Sequence, residues 1–139
     1  MLKFRYATAE DYENFNEFYR HRDFLGAVQL EKADSMSRKD FEKYIRHGNI
    51  ILAESDSNTI VGYADIAAYD DGIVSLRDIQ LAPMEMDYIY DFVRYIEAES
   101  RNIGMKKIEV ISDTLETDFM WKRMRYNSVN NSDLYAKNI

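Results

Sequence analysis

The stretch from Asn49 to Leu81 constrains the fold more than any other part of this chain. Three apolar-rich runs, Asn49 to Ser55, Thr59 to Tyr69 and Ile73 to Leu81, are separated by the turns Asp56-Ser57-Asn58 and Asp70-Asp71-Gly72. Each run has the length and residue types of a strand, and each turn carries the asparagine, aspartate or glycine that a tight reversal needs. Asp56-Ser57-Asn58 is a hairpin turn, so the second strand returns beside the first. Pro83 ends the third strand, because proline cannot donate to a ladder.

Helical patterns lie on both sides of this meander. Leu2 to Ala7 places Leu2, Phe4 and Tyr6 on one face of a strand. Thr8-Ala9-Glu10-Asp11 then reads as a helix start with an acid at the capping-box position, opening a helix to about Arg22 that buries Tyr12, Phe15, Phe18 and Tyr19. Ser37-Arg38-Lys39-Asp40 starts a second helix, carried by Phe41, Tyr44 and Ile45 and stopped by Gly48. Between them Phe24 to Met36 has the least pattern and reads as a loop with a short helical turn. From Tyr88 to Ile103, one stripe of Ile89, Phe92, Val93, Ile96, Ser100 and Ile103 predicts a helix lying on a sheet and closed by Gly104. Lys107 to Ser112 is a strand, Asp113 caps a helix to about Met124, and Asp133 to Ile139 is a last strand. The order βααβββαβαβ predicts a single α/β domain over residues 1–139, built on a mixed sheet.

Composition narrows the function classes. With 139 residues, 46% apolar and 14% aromatic, the chain can build a core. No apolar run approaches the roughly 18 residues of a spanning helix, so no membrane role is expected. The start, Met1 to Tyr6, alternates apolar and charged residues, unlike a secretion signal, and a cytoplasmic location is expected. The absence of cysteine excludes disulfides, thiolate zinc sites and a cysteine nucleophile. Eighteen basic against 25 acidic residues give a net charge of -7. Nucleic-acid binding needs a basic face to displace phosphate counterions, and this balance opposes it. Acidity favours cationic partners, such as amines or basic protein segments, and also serves plain solubility.

Several phrases resemble the GNAT superfamily of acyl-CoA-dependent N-acetyltransferases. They are Asn49-Ile50-Ile51-Leu52-Ala53-Glu54, Ile60-Val61-Gly62-Tyr63-Ala64 and Asp78-Ile79-Gln80-Leu81-Ala82-Pro83. The run from Glu97 to Gly104 is similar to that family's "E-x-A-R-x-x-G" helix end, and Lys106-Lys107-Ile108 to the strand that follows. The resemblance spans nearly the whole chain. It implies a GNAT-like mixed, mostly antiparallel sheet flanked by helices, and acetyl transfer from acetyl-CoA to an amine. It implies that the cofactor lies along the splayed strand edges near Gln80 and Leu81. In that family a glycine-containing [RQ]-x-x-G-x-[GA] loop wraps the CoA pyrophosphate with backbone N–H groups at a helix N-terminus. A tyrosine often protonates the departing thiolate, and a carboxylate often takes the amine proton.

Two of these three devices are altered. The loop over residues 84–90 reads Met84-Glu85-Met86-Asp87-Tyr88-Ile89-Tyr90, without glycine, arginine or glutamine, and it is short for the family. Glu85 and Asp87 lie where the pyrophosphate would sit, and like charges at about 4 Å repel by about 1 kcal/mol in water and more when partly buried. The same carboxylates can instead satisfy the free N–H groups of the helix. Met120 to Tyr126 aligns without a gap to the family's "F-Y-E-K-x-G-F", which puts Trp121 at the tyrosine and Arg125 at the glycine. Indole donates a hydrogen bond but is no proton source near neutral pH. Tyr126 substitutes only in another register. The third device survives as Glu109 or Asp78. The resemblance places Glu109 where some members carry an acid/base carboxylate, although counting from Gly104 gives a different register.

Bland readings stand beside these. Arg77 and Asp78 also suit a strand-end ion pair, and His21 and His47 suit helix C-termini. No histidine spacing indicates a metal. Glu54 to Asn58 superficially resembles a calcium loop but lacks its glycine. Lys122, Arg123 and Arg125 form a basic patch, able to meet phosphate or to pair with surrounding acids. Tyr88 and Tyr95, seven apart, share a helix face near Met84 and Met86, suiting either core packing or an interface. From Met84 to Glu99 there are five acids and one arginine. That face predicts a homodimer, through the basic patch, or a heterologous complex. The favoured function is a binding or regulatory module with acetyl-CoA binding and transfer weakened or lost, and hence no cofactor. The alternative is an active N-acetyltransferase using acetyl-CoA.

Overall fold

In the computed structural model, residues 1–21 and 35–139 are described, so most of the Phe24 to Met36 stretch lies outside the described residues. The strands are β1 (Lys3–Tyr6), β2 (Ile50–Glu54), β3 (Ile60–Ala68), β4 (Ile73–Leu81), β5 (Lys107–Ile111), β6 (Asn127–Ser128) and β7 (Leu134–Asn138). The α-helices are α1 (Tyr12–Arg20), α2 (Arg38–Arg46), α3 (Ile89–Asn102) and α4 (Leu115–Arg123). The strands form one mixed, mostly antiparallel sheet in the order β1-β2-β3-β4-β5-β7-β6. By internal packing the chain forms two compact units, Met1–Asp65 with Asp78–Ile89, and Ile66–Arg77 with Tyr90–Ile139.

In the first unit, β1 and β2 pair antiparallel from Lys3–Glu54 to Tyr6–Ile51, and β2 pairs antiparallel with β3. A 3₁₀ turn at Ala9–Asp11 precedes α1, and Thr8 N donates to Asp11 Oδ2 at 2.7 Å, as a capping box requires. Ser37 caps α2 by accepting from the Asp40 N–H at 3.1 Å. The core gathers Phe15, Phe41, Leu52 and Tyr63, with Phe15–Phe41 and Phe15–Tyr63 ring centroids 5.0 and 5.3 Å apart. The Phe15–Tyr63 pair is edge-to-face, an arrangement that adds about 0.5–1.5 kcal/mol to area burial. His21 and His47 are the C-cap residues of α1 and α2.

In the second unit, β4 runs parallel to β5 over Ile73–Leu76, and β7 pairs antiparallel with both β5 and β6. Helix α3 buries Phe92, Val93, Ile96 and Ser100, as the stripe predicts, but Ile103 is exposed beyond the helix end. Helices α2, α3 and α4 end alike. The residue two beyond the helix is left-handed, and the next N–H reaches back to the third-last helical carbonyl: Asn49 to Tyr44, Met105 to Ser100, Tyr126 to Trp121. Gly48 and Gly104 fill the left-handed position of the first two, with φ of 68° and 86°. The third is Arg125, with φ 70°.

Three boundaries differ from expectation. Thr114, not Asp113, caps α4, accepting from Thr117 N at 3.1 Å. The two-residue β6 carries no apolar pattern to announce it. A 3₁₀ helix over Pro83–Tyr88 precedes α3, which therefore begins at Ile89.

Candidate functional site

Two clusters hold the residues that the sequence singles out, one in each unit. In the first, Asp78 and Gln80 are two apart on β4 and so project from the same face. Asp78 Oδ2 accepts from the Tyr63 hydroxyl at 2.6 Å, and Oδ1 accepts from Gln80 Nε2 at 2.9 Å. Tyr63 is itself fixed by the rings of Phe15, Phe18 and Tyr19, at centroid distances of 5.3, 6.1 and 5.9 Å. The carboxylate is thus oriented by two donors while remaining half-buried. Next to it the backbones are close. A Cβ on Gly62 would collide with the Gln80 carbonyl and the Leu81 side chain, so glycine is required there on space alone. The Ala82 N–H donates to Val61 O at 2.8 Å, and the Leu81 side chain is buried.

The β4–α3 connection starts immediately after. Pro83 opens its 3₁₀ helix at a position where a missing N–H costs nothing. The Glu85 N–H donates to Ala82 O at 2.8 Å, and the Ile89 N–H to Met86 O. These two backbone donors are turned onto carbonyls of the same segment. Among the described residues, neither the Glu85 nor the Asp87 carboxylate accepts a hydrogen bond. Their carboxylates do not cap the helix; the 3₁₀ winding satisfies the donors instead. Met84 is 94% exposed and Met86 45%. Tyr88 ends the 3₁₀ helix and Tyr95 lies in α3.

The second cluster is built around Tyr126; Glu109, in the same unit, shares no hydrogen bond or ion pair with it among the described residues. Glu109 lies on β5 between Ser75 and Ala136, and its carboxylate meets Lys107 Nζ at 3.5 Å. Tyr126 is only 1% exposed, stacks edge-on against Trp121 at 5.0 Å, and donates to Glu97 Oε2 at 2.8 Å. Burial first, then the neighbouring Glu97 charge, pushes the Tyr126 hydroxyl far above its ordinary range. Its hydroxyl proton is directed at Glu97. Trp121 is buried too. Arg125, just before Tyr126, is left-handed.

Glu97 was not singled out as a site residue. It is buried and accepts from Tyr126 and, through both oxygens, from Lys137 Nζ at 3.0 and 3.2 Å. Its signal was available, since it falls four after Val93 and three before Ser100, within the buried stripe. Among the described residues no His, Asp or Glu group could hold a metal ion, and no helix is long and apolar enough to cross a membrane.

No protein-family model and no curated protein sequence matches this chain. Solved structures do. A GNAT-family acetyltransferase from Staphylococcus aureus Mu50 superposes with TM-score 0.79 at 12% identity, covering 99% of each chain. The PaiA N-acetyltransferase of Thermoplasma acidophilum, solved with coenzyme A, gives 0.79 at 16% identity over 100% of this chain and 99% of that one. A GNAT-family acetyltransferase from Brucella melitensis, solved with acetyl-CoA, gives 0.72 at 13% identity over 100% and 88%. The chain has the GNAT fold.

Proposed function

We propose that this chain uses the GNAT fold as a binding or regulatory module, with acetyl-CoA binding and acetyl transfer weakened or lost. The carrying observation is the β4–α3 connection. Its 3₁₀ helix spends N–H groups on its own carbonyls, and it contains Glu85 and Asp87 but no basic residue or glycine. A pyrophosphate placed there would meet like charge and few free donors. The buried Trp121 and the Glu97-bound Tyr126 support the same reading, because neither offers a proton to a leaving thiolate. The ligand suited to the remaining chemistry is cationic: an amine, or a basic protein segment. Asp78, oriented by Tyr63 and Gln80, would receive the ammonium. Exposed Met84 and Met86 support a contact with a protein partner, including a second copy.

The alternative, an active N-acetyltransferase with Asp78 or Glu109 as base, is favoured by one observation: fold neighbours were solved with coenzyme A and acetyl-CoA. A paired titration separates the two. The Glu85→Gln/Asp87→Asn variant should bind acetyl-CoA more tightly than the parent. Equal affinity in parent and variant would remove the charge argument.

A further inference from the structure

The second unit holds a small cavity where charge runs against the character of the chain. It has a volume of about 200 Å³ and is lined by α3 (Tyr90, Arg94, Glu97), the end of α4 (Arg123, Arg125) and β7 (Lys137). Four cations and one carboxylate converge there, in a protein of net charge -7. The carboxylate is already engaged, since Glu97 takes Tyr126 and Lys137. Arg94 has only an exposed contact with Asp91 at 3.4 Å, and Arg123 lies over the Tyr90 ring at 5.9 Å. Among the described residues no carboxylate pairs with Arg123 or Arg125, so the basic patch is not neutralised by surrounding acids.

A second observation points the same way. Arg125 stands in the left-handed position that glycine fills at the ends of α2 and α3. A side chain with a Cβ is disfavoured there, and strain kept at one residue directs attention to what its side chain does. Here it places a guanidinium on the cavity. Guanidinium forks match phosphate oxygens bidentately, and two of them beside a lysine suit a dianion.

We propose that this cavity binds the phosphate group of a small phosphorylated molecule, with Arg123 and Arg125 as its principal ligands and Lys137 held ready by Glu97. The proposal draws on no residue of the β4–α3 connection before Tyr90, so it stands whether or not acetyl-CoA binds.

Titration of the full chain with inorganic phosphate, followed by amide NMR at constant ionic strength, tests it. Saturable shifts are expected at Tyr90 to Glu97, Arg123 to Tyr126 and Lys137. Arg125→Gly relaxes the backbone while removing the guanidinium, so it should fold at least as well as the parent. Its phosphate affinity should be about tenfold weaker, the usual worth of one charge-assisted hydrogen bond. Arg123→Gln should weaken binding similarly. A parallel titration with glycerol 3-phosphate distinguishes the sources: tighter binding than inorganic phosphate assigns an organic phosphate, and equal binding the free ion. Shifts that never saturate, or an affinity unchanged in both variants, would overturn the proposal.

Discussion

Asp11 shows how much one buried carboxylate can report. It sits in the turn before α1, where Arg5 donates to both its oxygens at 2.8 Å and the Thr8 N–H at 2.7 Å. The Arg5 guanidinium, against a smaller penalty from burial, holds the Asp11 carboxyl below its ordinary value near 3.8. The folded state therefore binds fewer protons than the unfolded chain in this range, and stability rises with pH. The contribution is complete above pH 3.8 and is lost as pH falls through the lower folded value. Denaturant midpoints measured across acid pH should fall more steeply for the parent than for Asp11→Asn. Parallel slopes would mean that Asp11 does not carry the effect. At this scale Asp11 was legible as a capping acid, but its salt link was not, because nothing local to Thr8–Asp11 names Arg5.

The elements were legible where local chemistry and periodicity agree. Ser37, Gly48 and Gly104 mark ends that the structure reproduces, and the α3 stripe buries Phe92 to 0% exposure. Phe92→Ala should cost about 3–5 kcal/mol, measured by chemical denaturation, since a buried ring leaves a cavity that the helix cannot fill. A loss under 1 kcal/mol would mean that the site collapses freely or that the ring is not buried. The misses share a cause too. A short run after proline suits a 3₁₀ or an α-helix equally, so no sequence signal separates the 3₁₀ helix over Pro83–Tyr88 from the start of α3. Asp113 and Thr114 are both good caps, and periodicity cannot choose between neighbours. Asn127–Ser128 is too short and polar for an alternation signal. The Tyr63–Asp78–Gln80 and Tyr126–Glu97–Lys137 clusters join residues far apart in sequence, which no local pattern reveals.

For the molecule as a whole, the proposed function separates fold from chemistry. Phrases spread along the chain resemble the GNAT superfamily, and the structure has that fold over its described length. The proposed loss of acetyl-CoA chemistry rests on three features: the acidic 3₁₀ connection, the buried Trp121 and the Tyr126 hydroxyl bound to Glu97. Fold alone does not carry function, so the cofactor decides. Calorimetric titration of the unmodified protein with acetyl-CoA, checked by thermal shift, is the most direct measurement. A ligand at a hundredfold excess over its Kd stabilises the native state by about 2.7 kcal/mol, which either method would register. The binding-module account predicts no such stabilisation and no saturable heat at micromolar acetyl-CoA. A micromolar Kd would contradict it.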